Sequence, residues 1–189
     1  MSRTEIRLTG FGGQGIILSG YIVGKAAAIH DKKQATLTQS YGPESRGGAC
    51  STQLIISDEP ISYPHLIAPS ILVAMSQEAY NKYAPTLGDG ALLIVDQDLV
   101  ETGELAGEVK LLSVPATCLA EELGRKIVAN IVMLGFFAAV TDVVSVEAMR
   151  EAVLSSVPKG TEELNLKAFQ KGYEYGSVFS VQCSVFSEQ

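Results

Sequence analysis

At 189 residues, 47% of them hydrophobic, the chain can bury one substantial core, and its make-up is that of an α/β protein rather than a fibrous, disordered or membrane-spanning one. The net charge of −7 is uneven: residues 1–57 hold six basic and three acidic side chains, residues 58–189 eight and eighteen. The acidic whole argues against nucleic acid as a partner, while the positive N-terminal third either receives a small anion or is merely a solvated surface.

In chain order, Ile6 and Leu8 mark a short strand that runs into Thr9-Gly10-Phe11-Gly12-Gly13-Gln14-Gly15 and then a small-residue helix over about 16–29. Gly20, Gly24, Ala27 and Ala28 near one helix face let it lie close to a sheet. A second extended run, Ala35–Tyr41, ends in the tight loop Gly42-Pro43-Glu44-Ser45-Arg46-Gly47-Gly48. This β-loop-α-β unit carries two glycine-rich loops, predicted at one edge of a parallel sheet. Cys50–Ser57 reads as a third strand, and Ile61–Pro64 as a short extended piece. Strand Ile71–Ala74, helix Gln77–Tyr83, strand Ala91–Val95 and strand Val109–Val114 follow, with an acidic loop over 97–107. The remainder reads as helical: 117–123 broken by Gly124, a buried helix over 127–140, an amphipathic one over 146–157, and a last one over 162–175. The apolar run Ile127–Val140 falls short of the roughly 20 residues a membrane span needs. No signal-like segment opens the chain, and the elements read as one domain.

Gly10-x-Gly12-x-x-Gly15 between a strand and a helix satisfies the dinucleotide pattern, in which bare backbone N–H groups approach a phosphate at the helix start. The acid that should end the second strand and hold a ribose is missing from Thr36-Leu37-Thr38-Gln39-Ser40-Tyr41. A free-standing NAD(P)-binding regulator or dehydrogenase is therefore the weaker reading, and glycines that only shape a turn compete with it. Arg46, beside Gly47 and Gly48, either grips a phosphate or carboxylate or pairs with Glu44 or a neighbouring subunit. His30 and His65 have no nucleophile near them, Glu121-Glu122 and Glu162-Glu163 are adjacent pairs that do not face one another, and no catalytic set emerges. Cys50, Cys118 and Cys183 are too far apart for a zinc or iron–sulfur motif; free thiols suit a reducing cytoplasm, and no resident metal is expected.

The strings Gly10-Phe11-Gly12-Gly13-Gln14-Gly15, Gln39-Ser40-Tyr41-Gly42-Pro43-Glu44-Ser45-Arg46-Gly47-Gly48 and Ile55-Ile56-Ser57-Asp58 resemble the γ subunit of 2-oxoacid:ferredoxin oxidoreductases. The likeness continues through Gln77-Glu78-Ala79-Tyr80, Ile94-Val95-Asp96, Pro115-Ala116-Thr117, Ala129-Asn130 and Glu163-Leu164-Asn165; Ser70 departs from it, standing where the family often has an acid. The resemblance implies a three-layer α/β/α Rossmann-like single domain over 1–189, with a mixed, mainly parallel sheet. It implies a cytoplasmic complex with α-, β- and δ-type subunits that decarboxylates a 2-oxoacid, forms acyl-coenzyme A and reduces ferredoxin. Thiamine diphosphate, magnesium and 4Fe-4S clusters would sit on the partners, and coenzyme A would be the co-substrate. Gly12, Gly13, Gln14, Gly15, Tyr41, Gly42, Arg46, Gly47 and Gly48 become candidate coenzyme A or interface positions, with no catalytic residue on this chain. Arg46-Gly47-Gly48-Ala49-Cys50 leans the resemblance toward 2-oxoglutarate, with pyruvate, branched-chain and indolepyruvate members as alternatives.

Overall fold

A computed structural model of the chain describes residues 3–40, 49–105 and 107–185. Strand β1 (Arg3–Phe11) alternates: Ile6 and Leu8 enter the main core, and Glu5, Arg7 and Thr9 stand on the opposite face. Beside it β4 (Ile71–Ala74) runs parallel and β3 (Ala49–Ser57) antiparallel. Strand β2 (Gln34–Ser40) pairs antiparallel with β3, and β5 (Leu92–Asp96) and β6 (Lys110–Val114) extend the parallel side. The order is β2-β3-β1-β4-β5-β6, the mixed and mainly parallel sheet expected. Because β2 is antiparallel to an antiparallel neighbour, it points the same way as β1, and Phe11 and Ser40 finish at the same edge.

The main core covers one face. Helix α1 (Ile16–Lys25), prolonged by a π-helical turn over Ala26–His30, lies on β3, where a Cβ on Gly20 would strike the Thr52 side chain and one on Gly24 would reach Leu54 Cδ2 at 3.3 Å. Helices α3 (Ala116–Glu122), α4 (Ala129–Val140), α5 (Val146–Leu154) and α6 (Glu162–Val185) complete that layer. Helix α4 is buried from Ala129 to Ala138, as its apolar circumference predicts. It meets α6 backbone to backbone: a Cβ on Gly135 would collide with the Phe169 carbonyl, and one on Gly172 with the Val132 carbonyl. The second face carries α2 (Gln77–Tyr83), N-capped by Ser76, over a smaller cluster of Leu72, Ala74, Leu93 and Val95 from β4 and β5.

The extended piece expected over 61–64 does not join the sheet: Pro60 and Pro64 lack N–H donors, and the segment that follows is held where Glu5 takes the amides of Ile67 (2.7 Å) and Ala68 (3.0 Å). Ser70 bonds the Glu5 backbone in both directions, accepting from its N–H at 3.2 Å and donating to its carbonyl at 3.0 Å. The last helix continues beyond the expected 162–175, and Gly176 within it is a packing point against Ala139.

Candidate functional site

Open α/β sheets gather ligands where successive crossovers leave in opposite directions. Here β1 leads through α1 on the main face toward β2, and β4 leads through α2 on the other face toward β5, so the crevice opens between β1 and β4. The glycine loop fills its mouth. Gly13 (φ 101°) and Gly15 (φ 75°) adopt left-handed backbone that other residues avoid. The Gln14 amide stitches the loop down: Oε1 accepts from Phe11 N–H at 2.6 Å, and Nε2 donates to the Met75 carbonyl at the end of β4 at 2.8 Å. Asn130, buried in α4, donates at 3.4 Å to both the Gly15 carbonyl and Ser19 Oγ. Gly12 and Gly13 are exposed, with no atom within 4 Å of where a Cβ would stand, leaving bare backbone at the loop crest.

Two clefts flank that crest. One of about 260 Å³ lies toward Met75, Leu99 and Thr117; the other, of about 470 Å³, lies toward Asn130, Thr161 and Asn165. The α3–α4 connection stands over both. Arg125 lines the larger cleft, Lys126 the smaller, and Ile127, 73% exposed, lines both. Lys126 keeps only an exposed pairing with Glu121 at 3.5 Å. The site therefore combines open N–H groups, two cations and an exposed apolar side chain, a set suited to an anionic ligand with an apolar part or to a partner surface.

Residues 5–175 match the family model of pyruvate ferredoxin/flavodoxin oxidoreductase. The chain belongs to that family. This oxidoreductase-family chain is 56% identical over 174 residues to the 2-oxoglutarate synthase subunit KorC of Methanocaldococcus jannaschii, covering 91% of this chain and 93% of the relative. It superposes on the keto/oxoacid ferredoxin oxidoreductase γ subunit from Geobacter sulfurreducens with a TM-score of 0.84 at 47% identity, over 94% of this chain and 98% of that one. It also superposes on the 2-oxoglutarate:ferredoxin oxidoreductase of Magnetococcus marinus, solved with 2-oxoglutarate, coenzyme A and succinyl-CoA (TM-score 0.85). There it covers 94% of this chain but 32% of the other, and at 23% identity that likeness speaks for the fold alone. The family's fold thus occurs both as a short chain and inside a much longer one.

Of the residues singled out from sequence, Gly12, Gly13, Gln14 and Gly15 gather at the crest of this family member, although the Gln14 amide is taken up by the loop itself. Tyr41, Gly42, Arg46, Gly47 and Gly48 lie outside the described residues; the strand ends that bracket them, Ser40 and Ala49, stand at the edge reached by Phe11. Arg125, Lys126 and Ile127 escaped the sequence reading: a cation pair after a helix-ending glycine (Gly124, φ 80°) has no motif, and only the fold brings it over the crest. The dinucleotide alternative loses further ground, because antiparallel β3 occupies the place beside β1 where a ribose-holding strand would lie. His30 and His65 are exposed, and neither lines the two clefts.

Asp96, wholly buried at the end of β5, accepts from Thr117 Oγ1 at 2.7 Å and from Asp98 N–H at 3.2 Å. Burial pushes its carboxyl above the ordinary range despite these bonds. Asp98 in turn accepts from Cys118 N–H at 2.7 Å, so the two acids together fix the start of α3 at the edge of the smaller cleft. Among the described residues no three of His, Cys, Asp or Glu converge on one point.

Proposed function

We propose that residues 1–189 form one γ-type domain serving as a subunit of a 2-oxoglutarate:ferredoxin oxidoreductase. The whole enzyme converts 2-oxoglutarate, coenzyme A and two oxidised ferredoxins into succinyl-CoA, carbon dioxide, a proton and two reduced ferredoxins. The observation that carries this reading is the 56% identity to a 2-oxoglutarate synthase subunit over nearly the full length of both chains. In this reading thiamine diphosphate, magnesium and 4Fe-4S clusters belong to α-, β- and δ-type partners in the cytoplasm, and this chain supplies shape and charge.

The glycine edge faces the catalytic partners and the path of coenzyme A. Support comes from the bare crest at Gly12 and Gly13, with Arg125 and Lys126 above it, since coenzyme A carries several phosphates. Arg46, with Tyr41, Gly42, Gly47 and Gly48, falls in the sequence between Ser40 and Ala49, the strand ends that stand at that edge.

The test is steady-state kinetics of the assembled enzyme. Wild type should prefer 2-oxoglutarate over pyruvate and 2-oxoisovalerate, and the lone chain should show no turnover. Arg46→Ala should raise the coenzyme A KM about tenfold or more, as expected on losing a charged hydrogen bond to phosphate, with the subunit's Tm unchanged. An unchanged KM together with unchanged assembly would leave that loop a structural role only.

A further inference from the structure

Two asparagines on different helices line the larger cleft beside the glycine crest, Asn130 in the first turn of α4 and Asn165 in the first turn of α6. They are 4% and 6% exposed, so each amide has traded most of its water for partners inside the chain. Those partners fix which way each amide points. Ser19 Oγ gives its proton to the Gly15 carbonyl at 3.1 Å, so both of these groups accept, and Asn130 Nδ2 is the donor that reaches them. Thr161 Oγ1 likewise gives its proton to the Pro158 carbonyl at 2.7 Å. It and the Thr161 carbonyl therefore accept from Asn165 Nδ2, at 3.0 and 2.9 Å.

Both side-chain nitrogens are thus spent, and both Oδ1 atoms are left over. No described residue donates to either oxygen. Neither is shut in: the enclosed side-chain atoms without a partner among the described residues belong to Arg7, Thr36 and Ser51. The two acceptors are therefore reachable from the cleft they line. Around them the walls are apolar, with Leu18, Ile131, Val157 and Leu164, while Arg125 and the Gly13 backbone stand on the side of the crest. Water satisfies either oxygen in an open cleft, so selectivity lies in what displaces it. An aliphatic chain or a phosphate brings no N–H and leaves both carbonyls stranded, whereas a secondary amide within an apolar chain supplies the missing donor.

We infer that Asn130 and Asn165 are amide-recognising residues: the larger cleft takes an apolar arm bearing secondary amides, whose N–H groups donate to the two Oδ1 atoms, while the anionic end of the same ligand lies at the crest. The inference rests on the reading above, in which that ligand is coenzyme A. It assigns to this chain the amide-bearing arm between the phosphates and the thiol, and not the phosphates alone.

The assembled enzyme tests it with two fragments as inhibitors competing with coenzyme A. S-Methylpantetheine keeps both amides and has neither phosphate nor free thiol; adenosine 3′,5′-bisphosphate keeps phosphates and has no amide. Asn165→Ala is the first variant, because Thr161 retains its own bonds to Pro158 and to the residue 165 N–H, and the chain's Tm should hold. It should raise the inhibition constant of S-methylpantetheine about tenfold, the cost of leaving an amide donor unpaired, and leave that of the bisphosphate unchanged. Asn130→Ala should raise the S-methylpantetheine constant by a similar factor. An unchanged S-methylpantetheine constant in Asn165→Ala, or an equal rise for both fragments, would overturn the inference, since that asparagine would then serve only the start of α6. A wild-type enzyme that S-methylpantetheine does not inhibit would overturn it as well. Weaker reassembly of the Asn165→Ala chain with the other subunits, at unchanged fragment constants, would overturn it in favour of a partner's peptide segment in the cleft. A wild-type complex that turns over 2-oxoglutarate with no need of coenzyme A would instead defeat the reading on which the inference rests.

Discussion

Asp96 carries a carboxylate buried at the end of β5 with no cation beside it among the described residues, and this burial fixes the sign of its pH dependence. Its folded value lies above the ordinary 3.8 because burial penalises the charged form. A raised acid favours the folded state fully below the unfolded value, and the advantage fades as pH rises through the folded value. Relative to Asp96→Asn, the wild-type chain should therefore gain stability as pH falls toward 3.8 and lose that margin as pH rises through the folded value; denaturant titrations of both proteins down to about pH 3.5 would show it. The carboxylate was visible in the sequence only as the last residue of Ile94-Val95-Asp96, because Thr117, its main donor, lies 21 residues away. Gln14 illustrates the same limit. It stands in the glycine string among the candidate coenzyme A or interface positions, and its amide holds Phe11 and, 61 residues on, Met75. Local spacing marks a residue as special without saying which distant atom it serves.

Among the elements, the α4–α6 crossing depends most on a missing side chain. Gly135→Ala would drive a Cβ into the Phe169 carbonyl and within 2.8 Å of Tyr173 N, neither of which is a flexible chain end. Urea unfolding should register a loss of about 3 kcal/mol, the upper range for overpacking a core. Gly88→Ala, with no atom within 4 Å, is the matched control and should change stability by less than about 0.5 kcal/mol. Hydrophobic periodicity placed α1, α2 and α4 well because their burial repeats within a few turns. It left open the end of α6 and how 61–64 is held, because glycine and proline look alike as punctuation until their neighbours are known. Gly176 is a contact point with Ala139, and the segment after Pro60 leads to the Ile67 and Ala68 amides held by Glu5.

At the scale of the whole molecule, the α/β class and the sheet edge holding the first glycine loop were legible, since both follow from a strand, a glycine turn and a helix in sequence. The insertion of β3 between β1 and β2 was not, because no local signal separates an antiparallel third strand from a parallel one. That insertion has a direct biochemical test. Calorimetric titration of the isolated chain with NAD and NADP should give no specific heat, with Gly12→Val indistinguishable from wild type; saturable binding would restore the dinucleotide reading. Among the described residues no helix is long and apolar enough to cross a membrane.

The same strand order also governs how the chain can assemble itself. Among the described residues β2 pairs with β3 alone, so the unit from β1 to β2 is an open arch until residues 49–57 lie between its two arms. A nascent chain cut off at Ser40 holds two strands one place apart with nothing to bridge them, and its helix has lost the Thr52 and Leu54 floor beneath Gly20 and Gly24. The N-terminal third therefore lacks its sheet contacts until β3, synthesised after it, is in place, and such non-local pairing carries a loop-closure cost that local helix formation does not.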